Sequence, residues 1–191
     1  MSGNLYVVSG PSGAGKGTLL AQALKGRDDV WLSVSATTRS AREGEQNGRE
    51  YYFLTPEEFQ RLIAEDGLLE WAFVHGNYYG TLKDEVLKRR AEGSDIILEI
   101  EPQGAFQVQA KHPEALLIFI EPPSLGELEE RLRKRGSETD EQIAARLRHA
   151  ELEMALRDRY TVVIVNDDLE TAAQALKTVF EGSMRGGSMR L

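Results

Sequence analysis

Residues 10–18 read Gly10-Pro11-Ser12-Gly13-Ala14-Gly15-Lys16-Gly17-Thr18, a glycine-rich loop ending in a lysine. Glycines let such a loop curl its backbone N–H groups inward, and the lysine aims a cation at the same point, a chemistry suited to phosphate oxygens. The G-x-x-x-x-G-K string follows the apolar run Leu5–Ser9 and precedes a helical segment. Strand, loop and helix in that order form a phosphate-binding loop, to which the helix N-terminus adds partial positive charge. Lys16 is then placed for the β- and γ-phosphates of a nucleotide. Gly17 stands where the general pattern carries a Ser or Thr that ligates Mg²⁺, and Thr18 follows it. Two arrangements are open: Mg²⁺ held mainly by nucleotide oxygens and water, or approached by Ser12 or Thr18.

A second anion-binding chemistry lies in Ser35-Ala36-Thr37-Thr38-Arg39-Ser40-Ala41-Arg42-Glu43-Gly44-Glu45. Two arginines three apart beside hydroxyls can grip a phosphate through charge-assisted hydrogen bonds. By itself the pattern fits a solvated basic turn equally well. Glu99 and Glu101 are two apart at the end of an apolar run, which predicts that they share a face near the crevice at the carboxyl ends of parallel strands. The histidines, His75, His112 and His149, are far apart and read as structural or surface residues.

These groups need a scaffold. Short β-branched runs at Leu5–Ser9, Ile96–Ile100, Leu116–Ile120 and Val162–Val165 predict strands buried on both faces of a parallel sheet, alternating with helices in an α/β fold. Ser124 with Glu127, and Thr139 with Gln142, have capping-box spacing ahead of helical apolar recurrence, and Thr55-Pro56-Glu57-Glu58 opens a shorter helix. Asp167 is placed to cap the last helix. The stretch 35–93, with aromatic segments Tyr51-Tyr52-Phe53 and Trp71-Ala72-Phe73, reads as an insert in a core of 1–34 and 94–191. The polar run RKRGSETD joins two helices as a mobile lid over about 133–150, and 183–191 as a frayed tail. With 191 residues, 41% hydrophobic and 28% charged, the chain is sized for one compact domain. A net charge of −8 argues against long nucleic acid as a partner, and the absence of cysteine excludes disulfides and thiolate zinc sites. No apolar run reaches membrane-spanning length, so the cytoplasm is the expected compartment.

Along nearly its whole length the sequence resembles the guanylate kinase family, through GPSGAGKGTL, SVSATTRSAREGEQNGREYYF, LLEWAFVHGNYYGT, ILEIEPQGA, IFIEPPSLGELEERLRKRG and VIVNDDLETA. The resemblance implies a P-loop NTPase three-layer fold with a small GMP-binding insert and a lid. It implies transfer from ATP to GMP or dGMP in purine nucleotide metabolism, with Mg²⁺ held mainly through phosphates and water. Matched by position, Arg39, Arg42, Tyr51 and Tyr79 would hold the GMP phosphate, and Ser35, Glu70 and Thr81 would read guanine. Glu45, Glu99 and Glu101 complete the implied GMP set. Residues Gly10 to Thr18 and Asn166 form the implied ATP set, with Asn166 at the adenine edge. Lys16, Arg39, Arg135 and Arg146 are the implied catalytic cations, and Arg131 is a weaker candidate.

Glu101-Pro102-Gln103-Gly104 departs from the family's D-x-Q-G, and Ala36 and Ala41 are milder departures. Two other readings are a kinase for a different nucleoside monophosphate and a non-catalytic guanylate-kinase-like interaction module. Glu70 with Ser35 and Thr81 argues against the first, and intact Gly15, Lys16 and arginines against the second. A monomer or small homo-oligomer without membrane attachment is expected.

Overall fold

The computed structural model describes residues 2–74, 76–134, 136 and 139–183. In chain order the elements are β1 (Leu5–Ser9), α1 (Lys16–Ala23), β2 (Val30–Leu32), β3 (Ser35–Thr37), β4 (Tyr52–Phe53), α2 (Pro56–Ala64), β5 (Leu68–Val74), β6 (Asn77–Leu82), α3 (Lys83–Ala91), β7 (Asp95–Glu99), α4 (Pro102–Lys111), β8 (Leu116–Glu121), α5 (Leu125–Lys134), α6 (Asp140–Met154), β9 (Val162–Val165) and α7 (Leu169–Ser183). A five-stranded sheet has the order β2-β7-β1-β8-β9, with β2 parallel to β7 and β8 parallel to β9. β1 is buried throughout, and β7 and β8 along most of their length, which is why their sequences are continuous apolar runs rather than alternating ones. A four-stranded sheet has the order β4-β3-β6-β5; β6 runs antiparallel to both β3 and β5.

The chain divides into two compact units, one of residues 1–6 and 28–115, the other of 7–27 and 116–191. The four-stranded sheet of the sequence-derived insert thus groups with β2, β7, α3 and α4. In this first unit Ala36, Phe59 and Leu68 form a small core flanked by Tyr52, Trp71 and Tyr78. Ala36 fills that core, which accounts for a small apolar side chain there. In the second unit α5 packs on α6 through Leu128, Leu132, Ile143 and Ala150. Full burial of each of the larger side chains is worth about 2 kcal/mol.

Helix starts follow the sequence closely. Thr55 with Glu58 and Thr139 with Gln142 form complete capping boxes, and Glu127 N–H donates to Ser124 Oγ at 3.1 Å. The last helix is capped one residue later than expected: Asp168 Oδ1, not Asp167, accepts from Thr171 N at 2.8 Å and from Thr171 Oγ1 at 2.7 Å. Asp168 stands three residues before a Thr that offers both donors, and the two bonds hold its carboxyl below the usual range. The sharing of a strand face by Glu99 and Glu101 is also corrected, because β7 ends at Glu99 and Glu101 is the N-cap of α4. Pro102 forces this: proline favours the first helical turn and drives its predecessor to the extended backbone found at Glu101, ψ 155°. Among the described residues, no helix is long and apolar enough to cross a membrane. His75, Arg135, residues 137–138 of the connection in 133–150, and 184–191 of the tail lie outside the described residues.

Candidate functional site

In the second unit the glycine loop runs from the end of β1 into α1 with Gly10, Gly13 and Gly15 all at positive φ. At Gly10 a Cβ would lie 1.9 Å from the Ile120 carbonyl oxygen, and at Gly15 one would lie 2.6 Å from Asn166 Nδ2. Both positions therefore require glycine for space as well as for backbone conformation. Gly15 is the N-cap of α1, so the helix begins at Lys16 directly beneath the loop. Lys16 Nζ donates back to the carbonyls of Gly10 and Pro11, the latter at 3.3 Å. The ammonium is held over the loop by neutral carbonyls, which an anion would outcompete.

Two further residues brace this loop. Buried Asn166, just after β9, donates through Nδ2 to the Ala14 carbonyl at 2.7 Å, and its own carbonyl accepts from Arg131 at 3.0 Å. The family resemblance implies an adenine-edge role for Asn166; in the structure its side-chain amide contacts the loop backbone. Gly13 has no side chain to hold α5 away, for a Cβ there would meet Leu128 Cδ1 at 2.8 Å. Leu128 and Leu132 carry α6 in turn through Ile143, and from α6 Arg146 donates to Ser12 Oγ at 2.9 Å. An arginine distant in sequence is thus brought onto the phosphate loop by aliphatic packing. Around the loop, the hydroxyls of Ser12 and exposed Thr18 are offered, and the first turn of α1 has no acidic residue. That donor set suits an Mg²⁺ ion bound chiefly by phosphate oxygens and water, not an all-protein cage.

In the first unit Ser35, Thr81 and Glu70 stand side by side on β3, β6 and β5, since Ser35 pairs with Thr81 and Thr81 with Glu70. Paired residues in neighbouring strands share a face, so three polar side chains line up across the sheet. Thr37 and Tyr79 form the next row. Glu70 is 3% exposed, and Thr81 Oγ1 donates to its Oε1 at 2.7 Å. Burial pushes the Glu70 carboxyl up to about 7, against the opposing pull of the Thr81 hydrogen bond and of Lys111. The Thr81 hydroxyl is spent on orienting Glu70, leaving Ser35 as the hydroxyl of the row without that duty.

Arg39, beyond β3, donates to Glu45 Oε1 at 2.9 Å and lies 5.4 Å from the centre of the Tyr51 ring and 5.8 Å from that of Phe53. Its guanidinium is raised above its ordinary range chiefly by Glu45, while Glu45 is lowered chiefly by Arg39. Arg42 is exposed, and its backbone N–H donates to Glu45 Oε2 at 2.7 Å. Glu45 thus ties the two arginines of the loop together. Tyr51 and Tyr79 meet edge to face with ring centres 6.0 Å apart, and burial raises the Tyr51 phenol. The result is a guanidinium beside two tyrosine side chains, a set of donors suited to a phosphate dianion. Glu99 and Glu101 are half-buried at the turn from β7 to α4, and the Glu101 side chain makes no capping bond. Gly104, inside the EPQGA run, belongs to the site without any chemistry of its own: a Cβ there would lie 2.2 Å from Glu70 Oε2. The only signal for it was a glycine inside a helix, where it is otherwise unfavourable.

The guanylate kinase family model matches residues 2–183. Among curated relatives, the guanylate kinase of Caldanaerobacter subterraneus subsp. tengcongensis is 48% identical over 93% of this chain and 86% of its own. That of Carboxydothermus hydrogenoformans is 51% identical over 93% of this chain and 87% of its own. Among solved structures, guanylate kinase from Anaplasma phagocytophilum superposes with a TM-score of 0.76 at 34% identity, covering 95% of this chain and 86% of that one. Shikimate kinase from Bacteroides thetaiotaomicron, at 17% identity and TM-score 0.51 over 93% and 98% of the two chains, shares the fold alone.

Proposed function

The chain belongs to the guanylate kinase family, and from that premise we infer that it transfers the terminal phosphoryl group of ATP to GMP, or to dGMP, giving ADP and GDP or dGDP. The observation that carries the acceptor assignment is the buried Glu70 carboxylate in line with Ser35 and Thr81. Guanine presents donors at N1 and at its 2-amino group beside an acceptor at O6. An ionised Glu70 accepts from both donors, Thr81 holds the carboxylate in orientation, and Ser35 donates to O6. Adenine would leave the carboxylate facing an acceptor, an unpaired arrangement that sites of this kind reject strongly.

Arg39, Arg42, Tyr51 and Tyr79 hold the acceptor phosphate, with Glu45 keeping the arginines in place. The phosphate loop, residues 10–18, holds ATP, and its backbone N–H groups and Lys16 take the phosphates. The loop would receive Mg²⁺ with the nucleotide, Thr18 being the protein hydroxyl nearest Lys16 in sequence, and the ion, held mainly by phosphate oxygens and water, would supply neutralisation of phosphate charge. No protein nucleophile is required, because the acceptor oxygen attacks the γ-phosphorus directly as the bond to ADP breaks. The protein's task is alignment and charge stabilisation, served by Lys16, Arg39 and Arg146, with Arg135 as a further cation. Glu99 and Glu101 would serve guanine and accept hydrogen bonds from the waters around a bound Mg²⁺, and Asn166 serves ATP through the loop it braces. A GMP-binding insert over 35–93 and a lid over about 133–150 on a core of 1–34 and 94–191 fit this division of labour. The enzyme works in the cytoplasm as a monomer or small homo-oligomer.

Two variants test the arrangement. Arg146→Ala should lower kcat by about 10- to 100-fold while KM for GMP changes little, because its guanidinium acts at the donor phosphates. A normal kcat in steady-state turnover would remove it from the mechanism. Gly104→Ala inserts a methyl against the flexible end of Glu70, not against backbone. Because Glu70 is buried and held by Thr81, making room for the methyl strains that hydrogen bond, so the melting temperature should fall and KM for GMP should rise about tenfold; an unchanged KM would show that the position of Glu70 is immaterial.

A further inference from the structure

We propose that one face of α4, formed by Gly104, Gln107 and Lys111, is a bracket that sets Glu70 against guanine, and that Gln107 is its positioning residue. The proposal rests on the guanine reading of Glu70. β5 is an outer strand of the four-stranded sheet, so one side of its backbone has no strand to pair with. Gln107 supplies that pairing from a side chain: its Nε2 donates to the Trp71 carbonyl at 2.7 Å, and its Oε1 accepts from Trp71 N–H at 3.3 Å. A primary amide carries the donor and acceptor of a peptide group, so one side chain satisfies both backbone groups of the residue following Glu70. On the other side of Glu70, Lys111 Nζ donates to the Leu69 carbonyl at 3.0 Å.

Spacings of three and four put Gly104, Gln107 and Lys111 on one helix face. That face therefore holds the backbone immediately before and after Glu70, while bare Gly104 admits the carboxylate between them. The same Lys111 favours the ionised form that guanine requires. Simple protection of a sheet edge would explain the backbone bonds. It would not explain why they flank one buried carboxylate whose oxygen abuts the only helical position of the face that lacks a side chain.

The test is Gln107→Met in the full chain, made alone and together with Glu70→Gln, with KM for GMP, KM for ATP, kcat and melting temperature measured for each. Methionine keeps the volume and the helix but can neither donate nor accept as the amide does. We expect KM for GMP to rise about tenfold, KM for ATP to stay within about twofold, and no further rise when Gln107→Met is added to Glu70→Gln. Multiplying effects in the double variant, or both KM values moving together with the melting temperature, would mean that Gln107 only stabilises the fold. If Glu70→Gln raises KM for GMP and Gln107→Met does not, the bracket is wrong and the guanine reading stands. If Glu70→Gln leaves KM unchanged, the guanine reading falls and the bracket with it. Should Gln107→Met not accumulate folded, Gln107→Asn, whose amide is one methylene too short to span to Trp71, carries the same expectations.

Discussion

Glu70→Gln is expected to lower kcat/KM for GMP by about 100- to 1000-fold while leaving KM for ATP nearly unchanged, and so to narrow the preference for GMP over AMP. Glutamine keeps the acceptor that Thr81 Oγ1 addresses at 2.7 Å in the parent. It replaces the other oxygen with a donor, which then faces a donor of guanine. Two charge-assisted bonds become one neutral bond and one clash of like groups. At about 1.5–3 kcal/mol for each hydrogen bond to a charged group, less about 1 kcal/mol for the neutral bond that remains, the net loss of about 2–5 kcal/mol brackets the stated range. Steady-state turnover with GMP and AMP measures it, and an unchanged ratio would sink the guanine readout.

The same substitution makes a second, opposite prediction for stability. Glu70 is buried and its carboxyl sits at about 7 in the folded chain, against an ordinary value of 4.5. Between those values the folded state binds more protons than the unfolded state, so the contribution of this group to stability is present in full below pH 4.5 and is lost as pH rises through 7. The loss is about 3 kcal/mol. Glu70→Gln, which never ionises, should therefore gain melting temperature over the parent as pH goes from about 5 to 8, even as it loses turnover. In the parent, KM for GMP should rise as pH falls below 7, since a protonated Glu70 cannot accept twice. The phosphate monoester titrates too, near pH 6, so the diagnostic is the difference between the parent and Glu70→Gln. Parallel profiles would show that Glu70 does not titrate in the site.

Lys16→Met should lower kcat by about 100- to 1000-fold with every acceptor, the range typical for removing one preorganised cation or donor from a developing charge. In the free protein the ammonium is held by the Gly10 and Pro11 carbonyls, contacts that a phosphate oxygen would replace. Methionine keeps the aliphatic stem, so α1 and the loop should still fold, and KM for GMP should be little affected. Single-turnover kinetics with saturating Mg-ATP would check this. A loss confined to KM for ATP would mean that Lys16 binds ATP without assisting transfer.

Local chemistry with a strict positional rule was the most legible part of this sequence. The loop at residues 10–18, its strand and its helix follow from glycines that have no steric alternative, at Gly10 against Ile120 and at Gly15 against Asn166. The capping boxes at Thr55 and Thr139 are equally local. Less legible was anything set by contacts between distant segments. Pro102 ends β7 at Glu99 and makes Glu101 a helix cap, which a two-residue strand alternation could not anticipate. Arg146 reaches Ser12 only because Gly13, Leu128, Leu132 and Ile143 stack in sequence. The pairing of Gln107 with Trp71 leaves no periodic trace, since an outward-facing glutamine on a helix reads as solvated surface until the strand beside it is known.

The most direct test of the account is ADP production with Mg-ATP and, separately, GMP, dGMP, AMP, CMP and UMP, with Lys16→Met as control. The account predicts rapid turnover with GMP and with dGMP, little with the other three, and loss of turnover in the control. Absence of turnover with every acceptor in folded protein would contradict it and leave a nucleotide-binding module; turnover faster with AMP, CMP or UMP than with GMP would contradict the reading of Glu70, Ser35 and Thr81.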